Sequence, residues 1–127
     1  MLHQVRSEST PKPAGPYSPG IRCGQFLFVS GQGPFDPQSG QVPGDSIEVQ
    51  TRQTLENVRA ILAAGGTDLA HVVKTTVILT DVSLFGRMNE IYKQYFAEPY
   101  PARVTYGAAL ANPRMLVEID AVAYLGD

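Results

Sequence analysis

The chain has 127 residues, of which 43% are hydrophobic and 17% are charged, and its net charge is −2. This length and composition fit one globular domain spanning residues 1–127, and no apolar run approaches the roughly 18 residues that a membrane-spanning helix needs. Lys and Arg number 10 against 12 Asp and Glu and form no basic run, so nucleic acid is disfavoured as a partner.

The N-terminal segment MLHQVRSESTPKPAGPYS lacks the apolar core of a secretory signal, so we expect a cytoplasmic protein. The dense Pro and Gly of the first twenty residues exclude a helix and predict an extended arm. Two short strands around a turn at Gly24-Gln25 are predicted within residues 21–30. A long loop, GQGPFDPQSGQVPGD, follows them.

Asp45 and Glu48 have the spacing of a capping box and predict the start of the first helix. The glycine pair 65–66 predicts its end. Between these signals, residues that suit a buried face recur every three or four positions, namely Ile47, Thr51, Leu55, Val58 and Leu62.

The β-branched run HVVKTTVILTD predicts a central strand. Simple alternation places Val73, Thr75, Val77 and Leu79 on one face and Val72, Thr76 and Ile78 on the other. A second helix is predicted to start near Asp81 or Ser83 and to end before Pro99 and Pro101, with an apolar stripe of Leu84, Met88, Ile91 and Tyr95. The strands ARVTYGAAL and MLVEIDAVAYL complete the chain and are predicted to pair as a hairpin through a turn at Asn112-Pro113.

The element order β-β-α-β-α-β-β predicts an α+β fold in which two helices pack on one face of a mixed β-sheet. Two helices cannot cover both faces of the sheet, and the central strand looks apolar on both. We therefore predict a homo-oligomer with the sheets turned inward, in which another copy of the chain covers the second face. A monomer with a modestly apolar open face is the alternative.

Candidate chemistry is concentrated in the last two strands, which carry Arg103, Glu118 and Asp120. No His, Cys or Asp pair has the spacing of metal ligands, and phosphate-binding and serine-hydrolase motifs are missing, so we expect neither a metal nor a cofactor. The register of the predicted hairpin decides whether Arg103 shares a face with the two carboxylates, and the sequence leaves it open. A plain cross-strand ion pair on a wet face is the simplest alternative.

Seven segments together resemble the RidA family, also called the YjgF family: GPYSPGI, FVSGQGPFDPQSGQV, TLENVRAIL, VVKTTVILTD, MNEIYKQYF, YPARVTY and VEIDAVA. The resemblance covers nearly the whole chain. It implies a chorismate-mutase-like fold, a homotrimer with ligand sites between subunits, and an enamine/imine deaminase. Such enzymes hydrolyse 2-iminobutanoate and 2-iminopropanoate, which dehydratases produce from threonine and serine, to 2-oxo acids and ammonia.

The same resemblance implies two catalytic residues, Arg103 for the substrate carboxylate and Glu118 for handling water. It also implies a substrate-binding set, namely Tyr17, Ser30, Gly31, Asn89 and Thr105. Many bacterial members have cysteine where this chain has Thr105, which opens the question of substrate preference. Each of the five also has a simpler interpretation. Tyr17 would be an aromatic anchor of the arm, and Ser30 and Gly31 would form a strand end. Asn89 would be a solvent-facing amide, and Thr105 a β-forming residue.

Arginine suits this chemistry because its planar fork binds a carboxylate through two parallel hydrogen bonds. A glutamate that activates water needs neither a metal nor a covalent intermediate, since imines already hydrolyse in water. Two other functions stay open. One is an endoribonuclease or translation inhibitor, which would need a basic groove. The other is a non-catalytic small-molecule-binding or chaperone-like role, which would keep the Arg103 pocket without needing Glu118.

Overall fold

Two layers, a mixed sheet and a pair of helices, make up the computed structural model, which describes residues 1–126. The helices are α1 (Ile47–Ala64) and α2 (Phe85–Tyr95). The strands are β1 (Leu2–Val5), β2 (Gly20–Cys23), β3 (Phe26–Gln32), β4 (Val72–Leu79), β5 (Ala102–Gly107) and β6 (Val117–Tyr124), in the sheet order β1-β2-β3-β6-β4-β5. The predicted α+β class, with two helices on one face of a mixed sheet, is confirmed.

The N-terminal arm contributes β1, one strand more than the sequence predicts. β1 pairs antiparallel with β2 at the edge of the sheet, with Leu2 opposite Cys23. The segment LHQV has neither alternation nor β-branched enrichment, so only its partner strand fixes its structure. The predicted turn between β2 and β3 is confirmed, and Gly24 adopts a φ of 59° there, which a side chain would disfavour.

The first helix starts one residue later than the capping-box spacing predicts. Ser46, rather than Asp45, is the N-cap, and its side chain accepts a hydrogen bond from the Val49 amide at 3.2 Å. Glu48 therefore falls within the first turn, where its carboxylate binds Arg87 of α2 through two hydrogen bonds of 2.8 Å. The predicted apolar face of α1 and its end at Gly65 are confirmed.

A β-bulge changes the facing of β4 from the predicted alternation. The register against β6 shifts between Val72 and Lys74, so Val72 lies buried on the same side as Thr75. Val73 is instead 45% exposed, and the prediction that it shares a face with Thr75 is wrong. One extra residue in a strand reverses the facing of everything before it, which simple alternation cannot reveal.

The last two strands do not form the predicted hairpin. β5 pairs in parallel with β4, to which α2 connects it, and β6 lies between β3 and β4. The inner position of β6 agrees with its buried alternate residues, Val117, Ile119, Ala121 and Ala123. The sheet therefore places β5 at one edge, with β4 separating it from β6.

The core lies between the sheet and the two helices and includes Leu27, Leu55, Val58, Ile61, Leu62, Val77, Leu79, Met88, Val117 and Ile119. The other face of the sheet, here called the open face, carries no helix. Its exposed side chains include Phe26, Phe28, Val104, Tyr106 and Tyr124. Neither helix of the described chain is long and apolar enough to cross a membrane.

Candidate functional site

The predicted site residues fall into two groups on opposite faces of the sheet. Arg103 of β5 is paired with Thr75 of β4, and Thr75 is fully buried against the helices, so Arg103 faces the helix layer. Glu118 of β6 is paired with Ile78 and alternates with core residues, which places it on the open face. The cross-strand ion pair is therefore ruled out: within residues 1–126, Arg103 forms no salt bridge.

Aromatic rings of α2 surround the Arg103 guanidinium. Its central carbon lies 4.7 Å from the centre of the Tyr92 ring and 5.4 Å from the centre of the Phe85 ring. These are the distances of cation–π contacts. The Tyr92 hydroxyl in turn lies 2.7 Å from Thr75 Oγ1. The guanidinium is thus held by aromatic faces and is not neutralised by a carboxylate of the described chain.

Asn89 and Thr105 belong to the same side of the sheet as Arg103. Asn89 follows Phe85 by four residues and precedes Tyr92 by three, which places it on the same face of α2. Thr105 follows Arg103 by two residues on β5. The Asn89 Oδ1 and Thr105 Oγ1 atoms are buried, and neither has a hydrogen-bond partner in the described chain. A ligand beside Arg103 would find unused hydrogen-bonding capacity in both side chains.

The second group of predicted site residues includes Tyr17, Gly31 and Glu118, which line a single cleft of about 730 Å³. A Cβ atom built at Gly31 would lie 2.5 Å from Glu118 Oε2, so the absence of a side chain there lets the carboxylate approach the backbone of β3. The Pro-rich arm, the loop after β3 and the segment before β6 form the remaining walls, with Pro11, Pro13, Pro19, Phe35, Pro37, Asn112 and Met115 among their residues.

Burial raises the pKa of Glu118 above its usual value of 4.5, and the nearby charge of Asp120 raises it further. Asp120 itself accepts a hydrogen bond from the Thr76 backbone amide at 2.9 Å. A half-buried carboxylate with a raised pKa is a stronger base than an exposed one. Glu118 is therefore suited to exchange a proton with water or with a ligand in the cleft.

Ser30 is engaged in holding the N-terminal arm. Its hydroxyl donates a hydrogen bond to the Ser18 carbonyl at 2.5 Å, and its amide donates one to the Pro19 carbonyl at 2.9 Å. These contacts agree with the simpler interpretation of Ser30 as a strand end. They also fix the part of the arm that carries Tyr17, which is 49% exposed at the cleft.

Four residues that the sequence analysis did not single out support the two groups. Phe85 and Tyr92 contact Arg103, and their spacing of seven residues on α2 is the signal that places both on one helix face. Asn57 and Gln50 are buried amides on the apolar face of α1. Asn57 donates to the Gly33 and Phe35 carbonyls in the loop after β3, and Gln50 binds backbone groups of the segment before β6, Arg114 and Leu116.

A second cleft, of about 610 Å³, contains none of the predicted site residues. It lies beside β1, β2 and the end of α1, lined by Met1, His3, Val5, Arg22, Gly24, Ala64 and Gly65. Within residues 1–126, no three His, Cys, Asp or Glu side chains are grouped so that they could hold a metal ion.

Comparisons with known proteins match nearly the whole chain. The family model for endoribonuclease L-PSP matches residues 7–125. A RutC family protein of Pyrococcus horikoshii is 47% identical over 98% of this chain and 98% of its own length. The human 2-iminobutanoate/2-iminopropanoate deaminase is 40% identical, over 96% of this chain and 89% of its own. The crystal structure of a candidate endoribonuclease from Thermotoga maritima has a TM-score of 0.94 and 41% identity, and the match covers 100% of both chains.

Proposed function

We propose that this protein hydrolyses 2-imino acids to 2-oxo acids and ammonia. The chain belongs to the RidA (YjgF) family, which the endoribonuclease L-PSP model describes. The observation that carries the proposal is the Arg103 guanidinium, which aromatic rings orient and which no carboxylate of the described chain neutralises. A partly buried arginine of this kind suits an anionic ligand, and the name of the human relative supplies the class of ligand.

The proposed reaction needs one water and no covalent intermediate. Arg103 binds the carboxylate of the imino acid through two N–H groups, which fixes the position of the neighbouring C2 carbon. The Glu118 carboxylate takes a proton from water as the water oxygen bonds to C2, and it passes that proton to the imine nitrogen as the C=N double bond becomes a single bond. Glu118 then takes the hydroxyl proton of the resulting amino alcohol and passes it to the amino group. The C–N bond breaks, ammonia leaves, and C2 becomes the carbonyl carbon of a 2-oxo acid. General-base help of this kind accelerates a reaction by about 10²–10⁴-fold.

The proposed site combines two copies of the chain. Arg103 and Glu118 lie on opposite faces of one sheet, so a single copy does not present both to one small substrate. We propose a homotrimer in which Arg103, Asn89 and Thr105 of one copy meet Tyr17, Gly31 and Glu118 of the next. Exposed aromatic residues on the open face, such as Phe28 and Tyr106, support an assembly through that face.

Coupling the purified protein to a threonine dehydratase tests the activity. The dehydratase supplies the unstable 2-iminobutanoate in solution, and the rate of ammonia or 2-oxobutanoate release is followed at limiting dehydratase and at excess dehydratase. We expect this protein to raise the release rate beyond that of spontaneous hydrolysis when imine formation is fast. A release rate that is independent of the protein at every dehydratase concentration would contradict the proposal. A serine dehydratase in place of the threonine enzyme then reports the preference for the smaller imino acid.

RNA cleavage is the second candidate, because the matching family model carries the name of an endoribonuclease. The charge balance of 10 basic and 12 acidic residues gives it no electrostatic support. Cleavage that falls steeply with salt and survives the loss of Arg103 would favour this candidate over the deaminase. A deaminase predicts the reverse, with Arg103-dependent turnover that changes little with salt.

A further inference from the structure

Tyr92 of α2 lies under the guanidinium of Arg103 and is 5% exposed. We infer that Tyr92, together with Phe85, is a positioning residue for Arg103, which restricts the position of the guanidinium and leaves N–H groups available for a ligand carboxylate. The inference rests on the proposed role of Arg103 in binding that carboxylate. It concerns a residue that does not itself need to touch the substrate.

The Tyr92 side chain is held by a contact of its hydroxyl and by packing of its ring. Its hydroxyl lies 2.7 Å from Thr75 Oγ1, and its ring packs on Phe96 with the ring centres 4.5 Å apart. Thr75 is the β4 residue paired with Arg103. Each of the three residues Arg103, Thr75 and Tyr92 therefore contacts the other two, through strand pairing, the hydroxyl contact and the cation–π contact. Because of these contacts, the ring cannot move without disturbing the strand that carries Arg103.

Phe85 supplies the second contact with the guanidinium. It precedes Tyr92 by seven residues, about two helical turns, and its ring centre lies 5.4 Å from the central carbon of the guanidinium. Two aromatic contacts restrict the direction of the Arg103 side chain more than one contact would. Because Phe85 is 44% exposed, its ring contributes to this restriction without being part of the buried core.

Cation–π contacts orient an arginine without occupying all of its hydrogen-bond donors. The guanidinium has five N–H groups, more than the nearby Tyr92 hydroxyl can engage, so donors remain for a ligand carboxylate. A carboxylate from the same chain would instead occupy the donor edge, and none does so in the described residues. Burial raises the pKa of Tyr92, so its phenol stays protonated and keeps its contact with Thr75 at neutral pH.

The test measures binding of 2-oxobutanoate, the expected product, by calorimetry to the full-length protein. We expect Tyr92→Leu to raise the Kd about 3- to 30-fold, because a desolvated cation–π contact is lost. Tyr92→Phe keeps the ring and is expected to raise the Kd less than Tyr92→Leu does. Phe85→Leu, at an exposed position, gives a measurable increase even if Tyr92→Leu fails to fold.

Tyr95→Leu is the matched control. Tyr95 is also on α2 and also contacts an arginine, with the Arg59 guanidinium 5.0 Å from its ring centre, but Arg59 is exposed and pairs with Glu56. The control is expected to leave the Kd unchanged. Thermal unfolding of each variant shows that the protein measured is folded, and a purely structural role would lower the Tm without changing the Kd of the folded protein.

A Kd for 2-oxobutanoate that is the same in wild type, Tyr92→Leu and Phe85→Leu would overturn the inference, whatever the deaminase assay shows. The two proposals fail separately. A wild-type protein that binds 2-oxobutanoate through Arg103 but releases no ammonia would contradict the deaminase, and weaker binding by Tyr92→Leu would then still support the positioning role. A failure of wild type to bind the probe in an Arg103-dependent way would overturn the inference.

Discussion

Arg103 and Glu118 point away from each other across one sheet, with the guanidinium 4.7 Å from the centre of the Tyr92 ring in the helix layer and the carboxylate beside Gly31 on the open face. Strand β4 also lies between the two strands that carry them. A small substrate that needs both side chains must therefore meet them on two different copies of the chain. This geometry makes an assembly of copies part of the proposed catalytic site.

Two inactive variants are expected to restore each other's activity. If Arg103→Ala and Glu118→Gln are unfolded and refolded together, about a quarter of the sites in a random mixture combine an intact Arg103 with an intact Glu118. We expect about that fraction of the wild-type deaminase activity, measured against each variant refolded alone. Native mass spectrometry confirms that mixed oligomers have formed. Mixed oligomers without recovered activity would contradict a site shared between copies.

Arg103→Ala is expected to lower kcat/KM for imino acids by about 10²-fold, because the charged hydrogen bonds to the substrate carboxylate are lost. Arg103→Lys should recover only part of this, since an ammonium cannot match a carboxylate with two parallel bonds. Arg59→Ala is the control: Arg59 also contacts an aromatic ring, that of Tyr95, but on the outer surface. Equal losses in the Arg59 and Arg103 variants would indicate a general loss of structure and count against a substrate-binding role.

The activity should fall as pH is lowered through the raised pKa of Glu118, because only the carboxylate form accepts a proton from water. Burial and the charge of Asp120 raise this pKa above 4.5, so the acid limb of the kcat/KM profile is expected above that pH. Asp120→Asn removes the like charge and should move the limb to lower pH. The asparagine keeps an oxygen for the hydrogen bond from Thr76. A limb that stays in place, or moves upward, would exclude Glu118 as the titrating base.

Gly31→Ala is expected to reduce turnover by up to about 10²-fold while the protein still folds. The new Cβ would lie 2.5 Å from Glu118 Oε2 and 3.0 Å from its Cδ, so the carboxylate must move away from the backbone of β3. Gly86→Ala is the control, because a Cβ there meets no atom within 4 Å. In a helix, that change should stabilise the protein by about 0.5–1 kcal/mol. Full activity of Gly31→Ala would argue against a precise position for Glu118.

Local pattern predicts most of the elements but not how they are assembled. The period of α1, the turn at Gly24 and the alternation of β6 follow from neighbouring residues, and the structure confirms them. The short strand β1 depends on a partner distant in sequence, and the bulge at Val73 adds a residue that alternation cannot register. The pairing of β5 with β4 follows from the crossover through α2, not from the turn signal between β5 and β6.

The candidate site shows the same division. Charged residues in strands, such as Arg103 and Glu118, stand out in the sequence because strands of this kind are otherwise apolar. The predicted apolar stripe of α2 omits Tyr92, whose importance comes from contacts with two strands that only the folded sheet brings together. Which face each charge occupies follows from the strand order, and that is long-range information.

The buried amide of Asn57 is expected to stabilise the loop that walls the Glu118 cleft. Asn57 is 2% exposed, and its Nδ2 donates to the Gly33 carbonyl at 3.0 Å and to the Phe35 carbonyl at 2.9 Å. Asn57→Asp keeps the size of the side chain but supplies no donor, and it places a charge in the core. We expect a loss of about 2–4 kcal/mol in the free energy of unfolding, measured with urea.

Gln53→Ala separates this effect from the general cost of shortening a side chain on α1. Gln53 is partly exposed and makes one hydrogen bond to Asn57, from its Nε2 to Asn57 Oδ1 at 3.1 Å. Its removal leaves both loop carbonyls paired, so a loss of no more than about 1 kcal/mol is expected. If Asn57→Asp and Gln53→Ala cost the same, the bonds to Gly33 and Phe35 do not hold the loop. A much larger cost for Asn57→Asp, together with lower turnover in the folded variant, would tie the geometry of the cleft to this one amide.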